Sequence, residues 1–260
     1  MTALVGLVQP GDFAVLAGDR YGLPSGPGAA PVDDREKVHR LERGWAAITG
    51  LDQARSYLSA LEGLDARDVW SVARRLRAEH AGDAERDEAM RASWTPAERD
   101  EHDSRLRPEG HWRDVSVLVL DDRLQTITRI NQDGPFQTSE SHMTSPPDVP
   151  SADLHATFQA MLAPLRRRPP TLTDWARRVA WGLAEISDRS EWVGPDITLA
   201  WIVIRRGRPR LARIVVSARG FAEAPELAVR ATMTAGPIVG VQRLPLAGGI
   251  AAALLWQLLG

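Results

Sequence analysis

The order of strand-like and helix-like segments is the feature that most restricts the fold of this chain. Short apolar runs, typical of β-strands, alternate with longer segments in which apolar residues recur at helical spacing. The strand-like runs lie at 2–8, 13–20, 37–41, 44–50, 114–122, 124–131, 136–142, 196–207 and 209–218, and the helix-like segments at 51–63, 65–80, 151–167 and 171–189. Strands, two helices, strands, two helices and strands predict an α+β fold in which paired sheets are covered by helices on both outer faces.

Turns and apolar faces support these boundaries. The turn at 9–12 (QPGD) joins the first two runs into a predicted hairpin. In the second helical segment, Val69, Val72, Ala73 and Leu76 share one face, which we expect to be buried.

Residues 81–112 are dense in Glu, Asp and Arg and predict an exposed insertion. A helix within it is expected to begin at Thr95-Pro96, a favourable start. His80, His102 and His111 lack the spacing of zinc ligands, so we interpret them as surface residues.

Composition excludes several functions. The formal net charge is −2, whereas a nucleic-acid binder needs a concentrated basic surface, so we expect no nucleic-acid partner. With no cysteine there is no disulfide, iron–sulfur cluster or thiolate zinc site, and we expect neither metal nor cofactor. Residues 244–260 are uncharged but fall short of a membrane span of ~20 residues. We expect this tail to pack on the protein or at a subunit interface, and the lack of a signal-peptide pattern favours the cytoplasm.

Lys37 stands out because it is the one lysine among 32 basic residues, the rest being arginine. Lysine differs from arginine where a compact ammonium that can give up its proton is required. A chance survivor on a solvated surface is the alternative interpretation. Lys37 is therefore a candidate site residue.

Four motifs in the first 54 residues resemble the proteasome β-subunit family, the threonine branch of the N-terminal-nucleophile (Ntn) hydrolases. They are Thr2 followed by Val5-Gly6, the strand that closes in Asp19-Arg20, the lysine-led strand at 37–41, and the strand and helix start at 45–54. Element order extends the resemblance to about residue 218. It implies a four-layer αββα sandwich over residues 1–218, with the charged insertion near 81–112. Residues 219–260 would be a C-terminal extension with a helix, a strand and the apolar tail.

The resemblance also implies a catalytic set. Removal of Met1 would leave Thr2 as a nucleophile whose own α-amine, with an ordinary pKa near ~7.7–8.0, takes the hydroxyl proton. Lys37 would lie beside Thr2 and lower the pKa of nearby groups, and Asp19 would hold Lys37 in place. The backbone N–H of Gly50 would face the developing oxyanion.

Other family positions are matched less closely. The usual Gly-Ser-Gly is absent, and the nearest stretch is SHMTSPP at 141–147. Asp188 and Ser190, in SDRSEWVG, are the candidates for the family's second acid and serine. A usual substrate-binding threonine is replaced by Leu23. The other positions that the resemblance places at the substrate are polar for the most part and favour a specific, charged substrate; they are Gly22, Arg35, His39, Ile48 and Asp52.

Three functions remain open on the sequence. The first is a threonine-type peptidase or amidohydrolase that cleaves a peptide or small amide through an acyl-Thr2 intermediate. The second passes the same acyl group to an amine, as an amide-forming acyltransferase or ligase. The third is a catalytically inactive scaffold subunit. In each case we expect a homo-oligomer, for which a ring is one form, and the sequence does not indicate whether an unfoldase binds.

Overall fold

The structure is a computed structural model, and it describes residues 3–22, 36–49, 57, 59–105, 115–131, 133–144, 146, 148–166 and 171–223. Its strands are β1 Leu4–Gln9, β2 Phe13–Asp19, β3 Val38–Leu41, β4 Gly44–Thr49, β5 Ser116–Asp121, β6 Ile127–Asn131, β7 Gly134–Ser139, β8 Ser141–Met143, β9 Asp196–Arg205 and β10 Arg208–Ser217. Its helices are α1 Val69–Ala92, α2 Pro96–Arg105, α3 Ser151–Leu162 with a 3₁₀ continuation at Ala163–Arg166, α4 Leu172–Ser187 and α5 Ala218–Glu223.

The described strands form two antiparallel five-stranded sheets. The first sheet has the order β10-β9-β2-β1-β8, and the second has the order β3-β4-β5-β6-β7. The chain passes from the second sheet to the first between β7 and β8, where the carbonyl of Glu140 accepts a hydrogen bond from the Val8 N–H at 2.7 Å. The predicted α+β class with two sheets is confirmed, and both sheets are antiparallel.

Three apolar clusters hold these elements together. One joins the first sheet to α3, α4 and α5, and includes Trp175 and Phe221. Another joins the second sheet to α1, through Val72 and Leu76 among others. The third contains residues of strands from both sheets, so the sheets pack on each other directly. At β1 the sheets approach closely beside Gly6, since a Cβ on this residue would lie 2.5 Å from Ile127 Cδ1 and force that side chain to shift.

Most element predictions are confirmed, and the insertion needs a correction. The first hairpin pairs Leu4 with Gly18 through Gln9 with Phe13. Helix α2 begins after Thr95, whose N–H donates to Glu98 Oε2 at 2.7 Å. Helix α1, predicted to end near residue 80, continues to Ala92 and so includes the beginning of the insertion. The reason is local, since charged residues and alanines that favour helix extend it past its buried first half.

Several predictions fall wholly or partly outside the described residues. These include much of the 51–63 helix and the apolar tail at 244–260. The predicted boundary near residue 218 coincides with the start of α5, whose Phe221 is fully buried against the first sheet. Among the helices that the structure describes, none combines the length and apolar character needed to cross a membrane.

Candidate functional site

The carboxylate of Asp19 lies at the centre of the candidate site. It is fully buried at the end of β2 and accepts three hydrogen bonds. Oδ1 accepts from the Ala3 backbone N–H at 2.9 Å, and Oδ2 accepts from the Lys37 ammonium at 2.7 Å and the Tyr21 N–H at 3.1 Å. One side chain therefore connects the beginning of β1 to the lone lysine.

Lys37 comes from the other sheet. It immediately precedes β3, and only 4% of its surface is exposed. Its carbonyl accepts from the Ile48 N–H at 2.9 Å, so the β3–β4 ladder continues through this residue. The Lys37–Asp19 contact is a buried ion pair between the two sheets, and a buried charge of this kind is tolerated because it is paired and hydrogen-bonded.

Gly18 precedes Asp19 and lies close to side chains of both sheets. A Cβ at this position would lie 2.7 Å from Leu4 Cδ2 and 3.7 Å from Lys37 Cβ. The first distance is shorter than packed side chains allow, so a larger residue before Asp19 would force the buried Leu4 side chain to shift.

Thr144 holds the beginning of β1 from its other side. Its hydroxyl accepts from the Leu4 N–H at 2.8 Å, and its own N–H donates to the Leu4 carbonyl at 2.9 Å. Sequence reasoning missed this residue, although it noted the SHMTSPP stretch that contains it. The lack of the expected glycines concealed that a hydroxyl residue was present in that stretch.

Polar side chains also mark the end of β4. Thr49 Oγ1 and Ser116 Oγ are 2.9 Å apart, and Arg129 Nε donates to Ser116 Oγ at 3.2 Å. Thr49 is followed in the chain by Gly50, which lies outside the described residues.

A second group of charges flanks the Lys37–Asp19 pair. Arg20 Nη1 lies 3.4 Å from Glu36 Oε2 and donates to Thr198 Oγ1 at 3.0 Å. Arg213 Nη1 lies 3.4 Å from Glu36 Oε1 and donates to the Val38 carbonyl at 3.1 Å. Sequence reasoning had not assigned roles to Glu36 or Arg213, because they are distant in sequence and are brought together only by the packing of the sheets.

The candidates from the second half of the chain lie on neighbouring loops. Asp188 ends α4 and pairs with Arg219, and both side chains are more than half exposed. Ser190 donates to Asp148 Oδ1 at 2.8 Å, which joins the loop after α4 to the loop after β8. The first of these loops also approaches Tyr21, two residues after Asp19, since a Cβ on Gly194 would lie 2.9 Å from Tyr21 Cβ.

The predicted substrate positions differ in how far they are buried, and several lie outside the described residues. Gly22 is partly buried, three residues after Asp19. Ile48 is 2% exposed and packs in the cluster between the second sheet and α1. His39 is half-buried, and burial lowers the pKa of its imidazole, with Arg213 lowering it further. The other candidates lie outside the described residues; they are Thr2, Leu23, Arg35, Gly50 and Asp52.

His142 is a further buried polar residue, in β8 opposite Gly6. Burial lowers its pKa to about 4, and Arg129 adds to the effect, so its imidazole is neutral at physiological pH. Its Nε2 is buried and has no hydrogen-bond partner among the described residues.

Chemically, the site presents an ammonium and a carboxylate, both buried, at the residue that follows Thr2. Within the described part of the chain, no group of three or more His, Asp or Glu side chains is arranged to hold a metal ion. In comparisons with known proteins, neither a protein-family model nor a curated protein matches this chain.

Proposed function

We propose that the chain is a threonine-type Ntn hydrolase that cleaves an amide bond through an acyl-Thr2 intermediate. The observation that carries this proposal is the position of Asp19, whose carboxylate binds both the Lys37 ammonium at 2.7 Å and the Ala3 N–H at 2.9 Å. Ala3 is bonded to Thr2, so a buried cation and its counter-ion stand at the start of the chain. Folding alone does not require a buried ion pair at this position, since apolar residues of similar volume often stabilise a protein equally well.

The proposed reaction has two steps. In the first, Thr2 Oγ attacks the carbonyl carbon of the amide while its proton passes to the Thr2 α-amine. The C–N bond then breaks, the leaving amine takes that proton, and an ester to Thr2 remains. In the second step, water attacks the ester with the same amine as base and releases the acid.

Lys37 and Gly50 have separate roles in this scheme. The ammonium of Lys37 provides a fixed positive charge beside the Thr2 amine, and Asp19 keeps it in place. The N–H of Gly50 is proposed to stabilise the oxyanion, a contribution that in other hydrolases amounts to ~10²–10³ in rate per donor.

The fold and assembly proposed with this function follow the same family resemblance. The apolar clusters on the outer and inner faces of the two sheets support a four-layer αββα sandwich of the Ntn type. We also propose a cytoplasmic homo-oligomer, with a peptide or small amide as substrate.

Intact-mass spectrometry with a β-lactone or epoxyketone probe tests the proposal. The protein is expected to begin at Thr2 and to gain the mass of one probe, located at Thr2 by peptide mapping. Thr2→Ala is the matched control and should gain nothing. A wild-type protein that begins at Thr2 and stays unmodified by every such probe would favour an inactive scaffold.

A further inference from the structure

The residues on either side of Lys37 are both tied to the first sheet by arginines. Glu36 precedes Lys37, and its two carboxylate oxygens lie 3.4 Å from Arg20 Nη1 and 3.4 Å from Arg213 Nη1. Val38 follows Lys37, and its carbonyl accepts from Arg213 at 3.1 Å. The backbone of Lys37 is thus held both before and after the residue.

The arginines are well fixed themselves. Arg20 is 5% exposed, directly follows Asp19, and also donates to Thr198 in the neighbouring strand β9. Arg213 extends from β10, next to β9 in the same sheet. The dipeptides Asp19-Arg20 and Glu36-Lys37 therefore form two ion pairs between the two sheets. Asp19 pairs with Lys37, and Arg20 pairs with Glu36.

Such fixing matters for a lysine because its four-carbon stem is flexible and its ammonium is a point charge without a preferred direction. The contact with Asp19 fixes the position of the ammonium. The position of the backbone determines the path of the four-carbon stem that leads to it. Displacing a reacting geometry by about 1 Å costs ~10²-fold in rate. A device that fixes the backbone at Lys37 would therefore act on the rate.

We propose that Glu36, held by Arg20 and Arg213, is a positioning residue that fixes Lys37 relative to Asp19 and the beginning of β1. The inference rests on the proposed function for its kinetic consequence. Glu36 touches no reacting atom in this scheme and acts only through the backbone and charge of its neighbour.

The test compares Glu36→Gln, Glu36→Asp and Arg213→Gln with wild type. Glu36→Gln keeps the shape but loses the charge, and Glu36→Asp keeps the charge but is too short to reach both arginines. Glu185→Gln is the matched control, because Glu185 pairs with Arg189 at 3.7 Å on the surface of α4. For each protein, the limiting rate of Thr2 acylation, the half-saturating concentration of a β-lactone and the melting temperature are measured.

Because Lys37 is the one lysine of the sequence, a second readout is independent of activity. Protein labelled with ¹³Cε-lysine gives one lysine signal, whose relaxation reports the mobility of this side chain alone. Any expression tag has to lack lysine.

We expect each of the three variants to lower the limiting acylation rate at least ~10-fold, with the half-saturating concentration unchanged and the Lys37 signal more mobile. The control should match wild type. The proposal is overturned if Thr2 of Glu36→Gln is acylated at the wild-type rate. It is also overturned if Glu36→Asp has the full wild-type rate, because charge alone would then suffice. A rate that falls only in proportion to the folded fraction would overturn it as well.

The failure of the two proposals can be told apart. If Thr2 of the wild type is never acylated, the proposed function fails, and the lysine signal still decides whether Glu36 fixes Lys37. If Glu36→Gln does not fold, Glu36→Asp and Arg213→Gln decide together, since the first leaves the hydrogen bond from Arg213 to the Val38 carbonyl in place and the second removes it along with the contact to Glu36.

Discussion

Replacing Asp19 by asparagine separates the charge of this side chain from its shape. The two carboxylate oxygens of Asp19 accept from Ala3, Tyr21 and Lys37. Asparagine has one accepting oxygen and one NH₂ group, so in either orientation at least one of these donors faces another donor. The Lys37 ammonium also loses its counter-ion.

The expected loss of stability follows from burial. The side chains of Asp19 and Lys37 are 0% and 5% exposed, so water cannot replace the lost charge. Removing one partner of a buried pair costs ~3–5 kcal/mol in the free energy of unfolding, and the unsatisfied donor is part of that cost. Against a usual total of ~5–15 kcal/mol, Asp19→Asn should remain folded but be strongly destabilised.

The double variant Asp19→Asn/Lys37→Met removes both charges. Since apolar replacement of a whole buried pair is often neutral, the double variant should be more stable than Asp19→Asn alone, with a coupling energy above ~1 kcal/mol. Guanidinium unfolding, followed by tryptophan fluorescence, measures the stability of the four proteins of this double-mutant cycle, which are wild type, Asp19→Asn, Lys37→Met and the double variant. Asp65→Asn is the control, because the side chains of its pair with Arg43 are 37% and 54% exposed, and an exposed pair contributes less than ~1 kcal/mol. Equal losses for Asp19→Asn and Asp65→Asn, or additive effects in the cycle, would refute this reasoning.

Three other outcomes are expected. Lys37→Arg should lower Thr2 acylation by at least ~10²-fold, because the wide guanidinium does not fit the place of the ammonium; near-UV circular dichroism checks the fold, and labelling at the wild-type rate would make the lysine a bystander. Gly18→Ala should cost ~1–3 kcal/mol in the free energy of unfolding, since its Cβ would lie 2.7 Å from Leu4 Cδ2; an unchanged denaturation midpoint would contradict the close packing. His142, whose folded pKa of about 4 lies below the ordinary 6.5, binds its proton more readily when unfolded, so its contribution to stability is present above pH 6.5 and is lost as the pH falls towards 4. Wild type should therefore lose more stability than His142→Leu between pH 7 and pH 4 in denaturant titrations, and parallel losses would contradict this.

The strands and helices were largely predictable because local features define them. The QPGD turn specified the first hairpin, and Thr95-Pro96 specified the start of α2. The end of α1 was not predictable in this way. Its buried face stops after Leu76, and residues up to Ala92 continue the helix by propensity, which gives no apolar pattern to follow.

The site was predictable only in part, for a different reason. Lys37 was conspicuous as the sole lysine, and the expected contact with Asp19 is present at 2.7 Å. Thr144, Glu36 and Arg213 reach this region through the packing of distant segments, and a single sequence contains no record of those contacts. Conversely, Ile48 was expected at the substrate from resemblance, and the structure places it in an apolar cluster beside α1.

Contact geometry accounts for the presence of arginine at positions 20 and 213 and of lysine at position 37. Arg20 donates to Glu36 and to Thr198, and Arg213 donates to the Val38 carbonyl and lies 3.4 Å from Glu36 Oε1. A guanidinium with several donors on a rigid plane suits such divided contacts. Lys37, in contrast, donates to the buried Oδ2 of Asp19 at 2.7 Å through a compact ammonium. The arginines therefore fix the framework and the lysine provides a compact charge within it, so exchanging the two residue types at either place should fail for opposite geometric reasons.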